Sequence, residues 1–289
     1  MADRENMISC VKCGTCRTVC PVNSVCPGEA NSARGKMALV EAVSQGHLEG
    51  SGLYREYLET CLLCGACEEA CPSGVPTLSI MFRARQDLTE NEGPGRGKVL
   101  LIKALVGIPR LLDLVMRTGK AFQGVMFRRI PTESGLRRRF PMPLIPPDRT
   151  LPGVAQRFFT DDYRGLVRRG TGPRVGIFAG CMTNYLYPGI GAGMVELLAA
   201  RNATVVVPTD QVCCGMPALT GGARKTAREL ALRNLEAFEA HDLDVVVTGC
   251  ASCGSNLKEN YNLLLAEADV DGSRRERFLA GIMDINEFL

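Results

Sequence analysis

The sequence predicts a helical N-terminal region, a helical linker and a C-terminal α/β region. The N-terminal third is dense in cysteine and has apolar residues at helical spacing, and the middle is basic, Pro-rich and free of cysteine. In the last third, short β-branched runs alternate with helical stretches, which is typical of βαβ units and a parallel sheet. We therefore expect an α + α/β protein with domains at residues 1–93, 94–171 and 172–289, and a small parallel sheet in the last of them.

The composition points to a globular, metal-binding protein. With 289 residues and 46% hydrophobic composition the chain can bury a sizeable core, and 22% charged residues is an ordinary globular share. Fourteen cysteines stand against two histidines. The first residues are charged and lack an apolar signal segment, so we expect a cytoplasmic protein, where thiols bind metal more often than they form disulfides. A membrane span is not expected, since it needs roughly 20 nearly uncharged residues.

Periodicity assigns the elements of both ends of the chain. Apolar residues at helical spacing predict helices over 32–45, 54–58 and 76–88, with a stop at 93–95. In the C-terminal region the expected strands are 175–178, 204–207 and 244–247, with helices over 193–201 and 223–240. Cysteines follow each of these strands, at the carboxyl edge where α/β folds build their sites.

A repeated motif, C-x2-C-x2-C-x3-C-P, is the strongest chemical signal in the sequence. Three closely spaced thiolates bind one [4Fe–4S] cubane, and the fourth, three residues further on, typically binds the neighbouring cluster. This crossed pattern predicts a first cysteine set of Cys10, Cys13, Cys16 and Cys71. It predicts a second cysteine set of Cys20, Cys61, Cys64 and Cys67. Structural zinc is the alternative, but zinc sites use two separated cysteine pairs. Cys26 fits neither set.

Five further cysteines form a third cysteine set after the predicted strands. They are Cys181, Cys213, Cys214, Cys250 and Cys253. The vicinal pair cannot easily chelate one ion, but its two thiolates can serve two irons of one cluster. From the residues alone the set predicts a metal site of open cluster type. A zinc site, or a redox dithiol at Cys250 and Cys253, remains an alternative.

These motifs carry a family resemblance. The third region resembles the cysteine-rich CCG domain of heterodisulfide reductase subunits and of respiratory iron–sulfur subunits. With two ferredoxin-type motifs before it, the chain resembles glycolate oxidase iron–sulfur subunits. It is also similar to the iron–sulfur subunit of anaerobic glycerol-3-phosphate dehydrogenase and to lactate-utilisation proteins. The stretches 20–36 and 71–76 also match this type of sequence. The resemblance implies a third, noncubane [4Fe–4S] cluster on the third cysteine set. It also implies two CCG repeats, whereas this chain carries one.

The function expected from this resemblance is electron transfer. The chain would accept electrons from a separate FAD-dependent dehydrogenase subunit acting on glycolate or D-lactate. It would pass them singly through two cubanes toward quinone or the third site. We recognise no flavin motif and no nucleophile–base–acid constellation, so no catalytic residue is assigned and enzyme status stays open. The alternative is a heterodisulfide reductase-like subunit whose CCG cluster is itself catalytic.

The segment 95–139 concentrates positive charge. It holds eleven Lys/Arg and two acidic residues, a net charge of +9 in a chain of +3. One interpretation is an amphipathic linker helix packed on its own protein with a solvated basic face. The other is docking to an anionic membrane surface on its inner face, or to an acidic partner. Nucleic acid is not expected, because aromatics make up 6% and are not interleaved with the basic residues.

Overall fold

The computed structural model describes residues 9–91, 96–130, 135–142, 145 and 147–289. The chain divides into two compact units. The first unit comprises the described residues of Met1–Ile102 together with Pro217–Arg224, and the second comprises those of Lys103–Met216 together with Lys225–Leu289. The three-domain division expected from the sequence stays a prediction.

Helices build the first unit. They are α1 Thr15–Val19, α2 Pro21–Val25, a 3₁₀ turn Glu29–Asn31, α3 Ala33–Ser44, α4 Gly52–Glu59, α5 Ala66–Glu69 and α6 Thr77–Asn91. The helices expected over 32–45, 54–58 and 76–88 are thereby confirmed. No strand occurs within the described residues 9–91. The expected stop at 93–95 lies outside the described residues.

Helix α3 begins tightly against the 3₁₀ turn. Ser32 caps it, its Oγ accepting a hydrogen bond from Gly35 N at 3.1 Å. A Cβ at position 35 would lie 1.9 Å from the carbonyl oxygen of Glu29, so only glycine permits this approach. The apolar face of α3 then packs with α4 and α6 around Leu58 and Met81, both fully buried.

The second unit places helices around a five-stranded sheet. Helix α7 Arg96–Gly107 belongs to this unit from Lys103 onward. The elements that follow are α8 Pro109–Met126, β1 Phe127–Arg129, β2 Leu136–Arg138, α9 Phe159–Tyr163, β3 Val167–Arg168, β4 Arg174–Ile177, α10 Gly180–Tyr185, α11 Pro188–Ala200, β5 Thr204–Val206, α12 Met216–Thr220, α13 Arg224–Glu239, β6 Val245–Thr248, α14 Ala251–Ser255, a π-helical turn Asn256–Asn260, α15 Tyr261–Ala266, α16 Gly272–Ala280, β7 Ile282–Asp284 and α17 Ile285–Phe288. Of these, α12 from Pro217 onward and the first residue of α13 lie in Pro217–Arg224, which belongs to the first unit. The expected α/β alternation is confirmed.

The sheet is mixed, with the order β3-β5-β4-β6-β7. Strands β5, β4, β6 and β7 run parallel, while β3 pairs antiparallel with β5 through Val167 opposite Val206. The strands expected at 175–178, 204–207 and 244–247 are confirmed as β4, β5 and β6. The expected small parallel sheet is present in four strands, but its β3 edge is antiparallel, which the sequence did not predict because β3 is only two residues long and leaves no periodic signal.

A strip of buried valines and isoleucine runs along β4, β5 and β6 and packs against α11. Val175, Ile177 and Val205 have no exposed surface. Because residues 175–177 of β4 and the β5 and β6 runs are buried, the three central strands are fixed in register. Their carboxyl ends, and the cysteines that follow them, therefore meet at one edge of the sheet.

Two basic side chains of α8 contact other residues of the second unit. The Arg117 guanidinium bonds Asp113 and Asp161, each at 2.7 Å, and lies 4.9 Å from the centre of the Phe158 ring. The Lys120 ammonium lies 5.2 Å from the same ring. These ion pairs and cation–π contacts hold both cations toward the protein, which differs from the expected solvated basic face.

The outward side of α8 is apolar. Leu114, Phe122 and Val125 are 60%, 55% and 63% exposed, and they recur at a helical spacing that puts them on one face. The β1–β2 hairpin that follows adds exposed arginines at 128, 129, 137 and 139. Among the described helices, none combines the length and apolar character needed to cross a bilayer.

Candidate metal centres

The second cysteine set surrounds one cavity in the first unit. Cys20, Cys61, Cys64 and Cys67 all line a space of about 450 Å³ that opens to solvent. Three of these residues belong to the second motif, whereas Cys20 is the last cysteine of the first motif. The structure thus brings together the four residues that the crossed pattern grouped from sequence.

The two motifs also share their backbone conformation. Lys12 and Leu63, at equivalent positions, have φ angles of 57° and 54°. Gly14 and Gly65 have φ angles of 88° and 77° and stand just before α1 and α5. Helices α1 and α5 contact each other. The repeat seen in the sequence is therefore a repeat of structure, with two similar loops side by side.

Three cysteines of the first cysteine set influence each other electrostatically. Burial raises the pKa of Cys16, and the negative charges of Cys10 and Cys13 add to this while the Arg34 N–H opposes it. A hydrogen bond with the Thr15 hydroxyl, 3.3 Å away, lowers the pKa of Cys13. The fourth member, Cys71, accepts a hydrogen bond from Val75 N at 3.5 Å. It packs on the same helical core as Cys10.

A buried lysine shares the cavity of the second cysteine set. Lys36 is 2% exposed and its Nζ donates to the carbonyl of Asn31 at 2.7 Å. The Cys20 thiol donates to the same carbonyl at 3.8 Å. Burial lowers the pKa of Lys36, which negative charge at Cys61 and Cys20 opposes. Burial also raises the pKa of Cys67 to about 11, so this cavity disfavours uncompensated charge.

The third cysteine set converges at the carboxyl edge of the sheet. Its thiols form a chain of hydrogen bonds in the order Cys181, Cys213, Cys214, Cys253 and Cys250. A Cβ at Gly180 would lie 2.8 Å from Cys253 Sγ, so glycine is required where the β4 loop approaches α14. The structure places together all five residues grouped from sequence.

Hydrogen bonds between these thiols lower the pKa of some of them and raise the pKa of others. A hydrogen bond from Cys253 lowers the pKa of Cys250 to about 6, against the effect of burial. Hydrogen bonds from Cys213 and Cys253 hold the pKa of Cys214 well below its ordinary value. Hydrogen bonding to Cys213 and burial raise the pKa of Cys181. The hydrogen-bond chain therefore favours the thiolate, the form that binds metal, at Cys214 and Cys250, whereas the pKa values of Cys181, Cys213 and Cys253 are raised.

Three buried polar side chains hold the backbone of the vicinal cysteines. Asn234 accepts from Val212 N at 2.8 Å and donates to the Cys213 carbonyl at 3.1 Å. Tyr261 and Asn256 donate to the Cys214 carbonyl at 3.0 and 2.7 Å. Within the described part of the chain, the Oδ1 atom of Asn256 is buried without a hydrogen-bond partner. Hydrogen-bonded outer residues of this kind orient metal ligands.

Sequence reasoning missed these supporting residues. A signal was present for Asn234, because it occupies a position on the apolar face of α13 between Leu230 and Phe238. A fully buried asparagine on such a face costs free energy unless it is hydrogen-bonded. Lys36 carries no comparable signal, since it lies in the first turn of its helix, which begins at Ala33.

A second cavity of about 460 Å³ adjoins the third cysteine set. Cys181 and Cys213 line it together with the polar side chains of Asn184 and Gln211 and the ring of Tyr185. Burial raises the pKa of Tyr185 to about 12, so its hydroxyl stays protonated. The third cysteine set therefore adjoins a solvent-open recess with polar walls at Asn184, Gln211 and Tyr185.

The donor atoms fit iron–sulfur clusters. In each set the donors are thiols alone, and thiolates select Fe–S clusters, zinc or Cu(I). No group of three or more His, Cys, Asp or Glu side chains among the described residues is arranged to hold a single metal ion. All four cysteines of the second set line one cavity, as ligands of a shared cluster must.

Comparison with family models defines the class of protein. The model of the 4Fe-4S dicluster domain matches residues 6–75, and the model of the cysteine-rich CCG domain matches residues 175–258. The chain thus carries one match to each of these two iron–sulfur domain models. The first match contains both ferredoxin-type motifs, and the second contains the whole third cysteine set.

Named relatives extend the comparison. A probable glycolate oxidase iron-sulfur subunit of Bacillus subtilis is 29% identical over 99% of this chain and 66% of its own length. A subunit of the anaerobic glycerol-3-phosphate dehydrogenase of Escherichia coli is 28% identical over 88% of this chain and 62% of its own. A subunit of the fumarate reductase (CoM/CoB) of Methanothermobacter marburgensis is 25% identical over 99% and 48%. The chain spans about half to two thirds of these relatives. No solved structure matches it.

Proposed function

We propose that this chain is the electron-transferring iron–sulfur subunit of a 2-hydroxy-acid dehydrogenase complex. The first and second cysteine sets each hold a [4Fe–4S] cubane, and the third holds a noncubane [4Fe–4S] cluster. A separate FAD-dependent subunit oxidises glycolate or D-lactate and delivers the electrons. The names of the relatives, which include an iron-sulfur subunit and a dehydrogenase subunit, support this assignment.

The grouping of Cys20 with three cysteines of the other motif carries the proposal. Crossed ligation is the pattern of two-cluster ferredoxins, and a pair of independent zinc sites would not need it. Iron–sulfur clusters accept single electrons at potentials that cluster type, hydrogen bonds and exposure set over about −700 to +450 mV. This chain's own contribution is to hold the thiols and place charges beside them.

Anaerobic purification tests this function. We expect brown protein with about twelve iron and twelve acid-labile sulfide atoms per chain, and a flavoprotein that co-purifies from the source cells. Adding glycolate or D-lactate to that complex should reduce the clusters, visible as bleaching of the absorption near 420 nm. A colourless preparation with zinc and no sulfide would overturn the assignment.

The exposed face of α8 supports a membrane surface, and quinone within it, as the destination of the electrons. Leu114, Phe122 and Val125 point outward beside a basic hairpin, and anionic lipid complements both features. Co-sedimentation with vesicles containing phosphatidylglycerol tests this partner. Binding should fall for Phe122→Glu and should be absent with neutral vesicles. Equal binding to both kinds of vesicle would contradict it.

The cavity beside Cys181 and Cys213 favours a second candidate, a catalytic CCG cluster that reduces a disulfide. The match of residues 175–258 to the cysteine-rich CCG domain supports it, because the third region resembles that domain of heterodisulfide reductase subunits. In that reaction, two electrons and two protons would convert one disulfide into two thiols. An assay with reduced viologen as the electron donor and an organic disulfide as the acceptor tests this candidate. Absence of turnover with all clusters intact would remove this candidate.

A further inference from the structure

The cavity of the second cysteine set also contains a charged side chain that is not one of the proposed cluster ligands. Lys36 lines this cavity with all four cysteines and is only 2% exposed. Lysine is almost never fully buried unless it is paired. The negative groups that act on its ammonium are Cys61, Cys20 and Cys67. The burial of Lys36 therefore points to negative charge inside the cavity.

The cation beside the first motif has a different environment. The Arg34 guanidinium donates to the carbonyl of Lys12 at 2.8 Å and forms a 2.6 Å ion pair with Glu29. The Arg34 and Glu29 side chains are 26% and 50% exposed. The charge of the Arg34 guanidinium is therefore compensated by a carboxylate and screened by water. The charge of the buried Lys36 ammonium is not screened by water.

We propose that Lys36 raises the reduction potential of the cluster on the second cysteine set above that of the cluster on the first. This inference rests on the proposed function. Adding one electron makes a thiolate-bound cluster more negative, and a nearby buried cation stabilises that reduced form. The electron comes from the flavoprotein, no bond forms or breaks, and no proton is required. Lys36 thereby directs electrons from the first cluster to the second.

Both cations stand on the first turn of α3, two residues apart. Arg34 reaches the loop of the first motif, and Lys36 reaches the cavity of the second. The Ser32 cap and the tight approach of Gly35 to Glu29 fix this turn. The stretch 32–36 thus places a partly exposed cation paired with Glu29 beside the first motif and a buried cation in the cavity of the second.

Lys36→Gln tests the inference. Glutamine keeps a donor for the Asn31 carbonyl but removes the charge. Holoprotein is titrated with dithionite and mediators, and each reduced cluster is followed by its electron paramagnetic resonance signal. At a fixed potential, the ratio of reduced to oxidised second cluster should fall about tenfold, which is about 59 mV for one electron. For the first cluster, the ratio of reduced to oxidised form should differ from that of the wild-type protein by less than about twofold.

The matched control is Lys12→Gln, which removes the same charge from an exposed lysine in the first loop. It should change neither ratio by more than about twofold, since water screens that charge. If Lys36→Gln holds less iron, Lys36→Met provides the uncharged side chain instead. Unchanged ratios at full iron content overturn the inference and leave the proposed function standing. Loss of the second cluster in both variants assigns Lys36 to structure and also overturns it. Wild-type protein without iron and sulfide overturns the proposed function instead.

Discussion

Asn234→Ala is expected to loosen the vicinal-cysteine loop. Asn234 is fully buried and pairs with Val212 N, the Cys213 carbonyl and the Tyr261 hydroxyl at 2.8, 3.1 and 3.0 Å. Alanine leaves two buried backbone groups without these partners. Each unpaired group costs about 1–3 kcal/mol, so local opening should become easier by about 2–6 kcal/mol.

Amide hydrogen exchange of the anaerobic holoprotein measures this effect. At 1.4 kcal/mol per factor of ten, amides over 212–215 should exchange at least about 30-fold faster. The same variant should broaden the spectrum of the cluster on the third cysteine set and leave the other two unchanged. Acceleration below about threefold, well under the range expected for unpaired groups, would refute the reasoning.

Tyr261→Phe is the graded control. It removes one donor to the Cys214 carbonyl, which keeps the 2.7 Å hydrogen bond from Asn256. Since no backbone group at Cys214 loses its last partner, we expect a loss of about 1 kcal/mol and an acceleration of about fivefold. An effect equal to that of Asn234→Ala would mean that the network acts as one cooperative unit.

Further predictions concern single residues. Cys20→Ala should perturb the cluster held by the second motif, and Cys214→Ala only the cluster on the third cysteine set; electron paramagnetic resonance and iron content check both. Gly35→Ala should lower the thermal unfolding midpoint of the holoprotein, because its Cβ would meet the Glu29 carbonyl at 1.9 Å. Burial raises the pKa of Asp161, but the hydrogen bonds from Arg117 and Phe158 N and the positive charges of Arg117 and Lys120 together outweigh it, so that the pKa is lowered. Its contribution to the free energy of unfolding is thus complete above the ordinary carboxyl pKa near 4 and is lost as pH falls through the lowered value. Asp161→Asn should flatten this loss in acid melts, whereas an unchanged pH profile would contradict it.

Much of the architecture could be predicted because its signals are local. The helix at Ala33–Ser44 and the strands β4, β5 and β6 follow from periodicity and β-branched runs. Convergence of the third cysteine set follows from the rule that parallel strands share a carboxyl edge. Strands β3 and β7 were missed because two or three residues carry no period, and their pairing depends on neighbours distant in sequence.

Other features could not be predicted because they depend on tertiary contacts. The periodicity of α8 shows two faces but does not state which one packs inward. Phe158, fully buried and far along the chain, attracts Arg117 and Lys120 and so decides the orientation. The role of Lys36 likewise arises only once the second motif folds against α3.

Because Cys20 lies with the cysteines of the second motif, the order in which the chain is synthesised affects how its clusters can be assembled. A nascent chain that has emerged only through the first loop contains three thiols for its own metal and a fourth whose companions have not yet been synthesised. On the proposed ligation, delivery of iron and sulfide by any donor must wait until the second loop has been translated and has docked. Both clusters should then appear together, and a ribosome-stalled fragment ending before Cys61 should remain colourless.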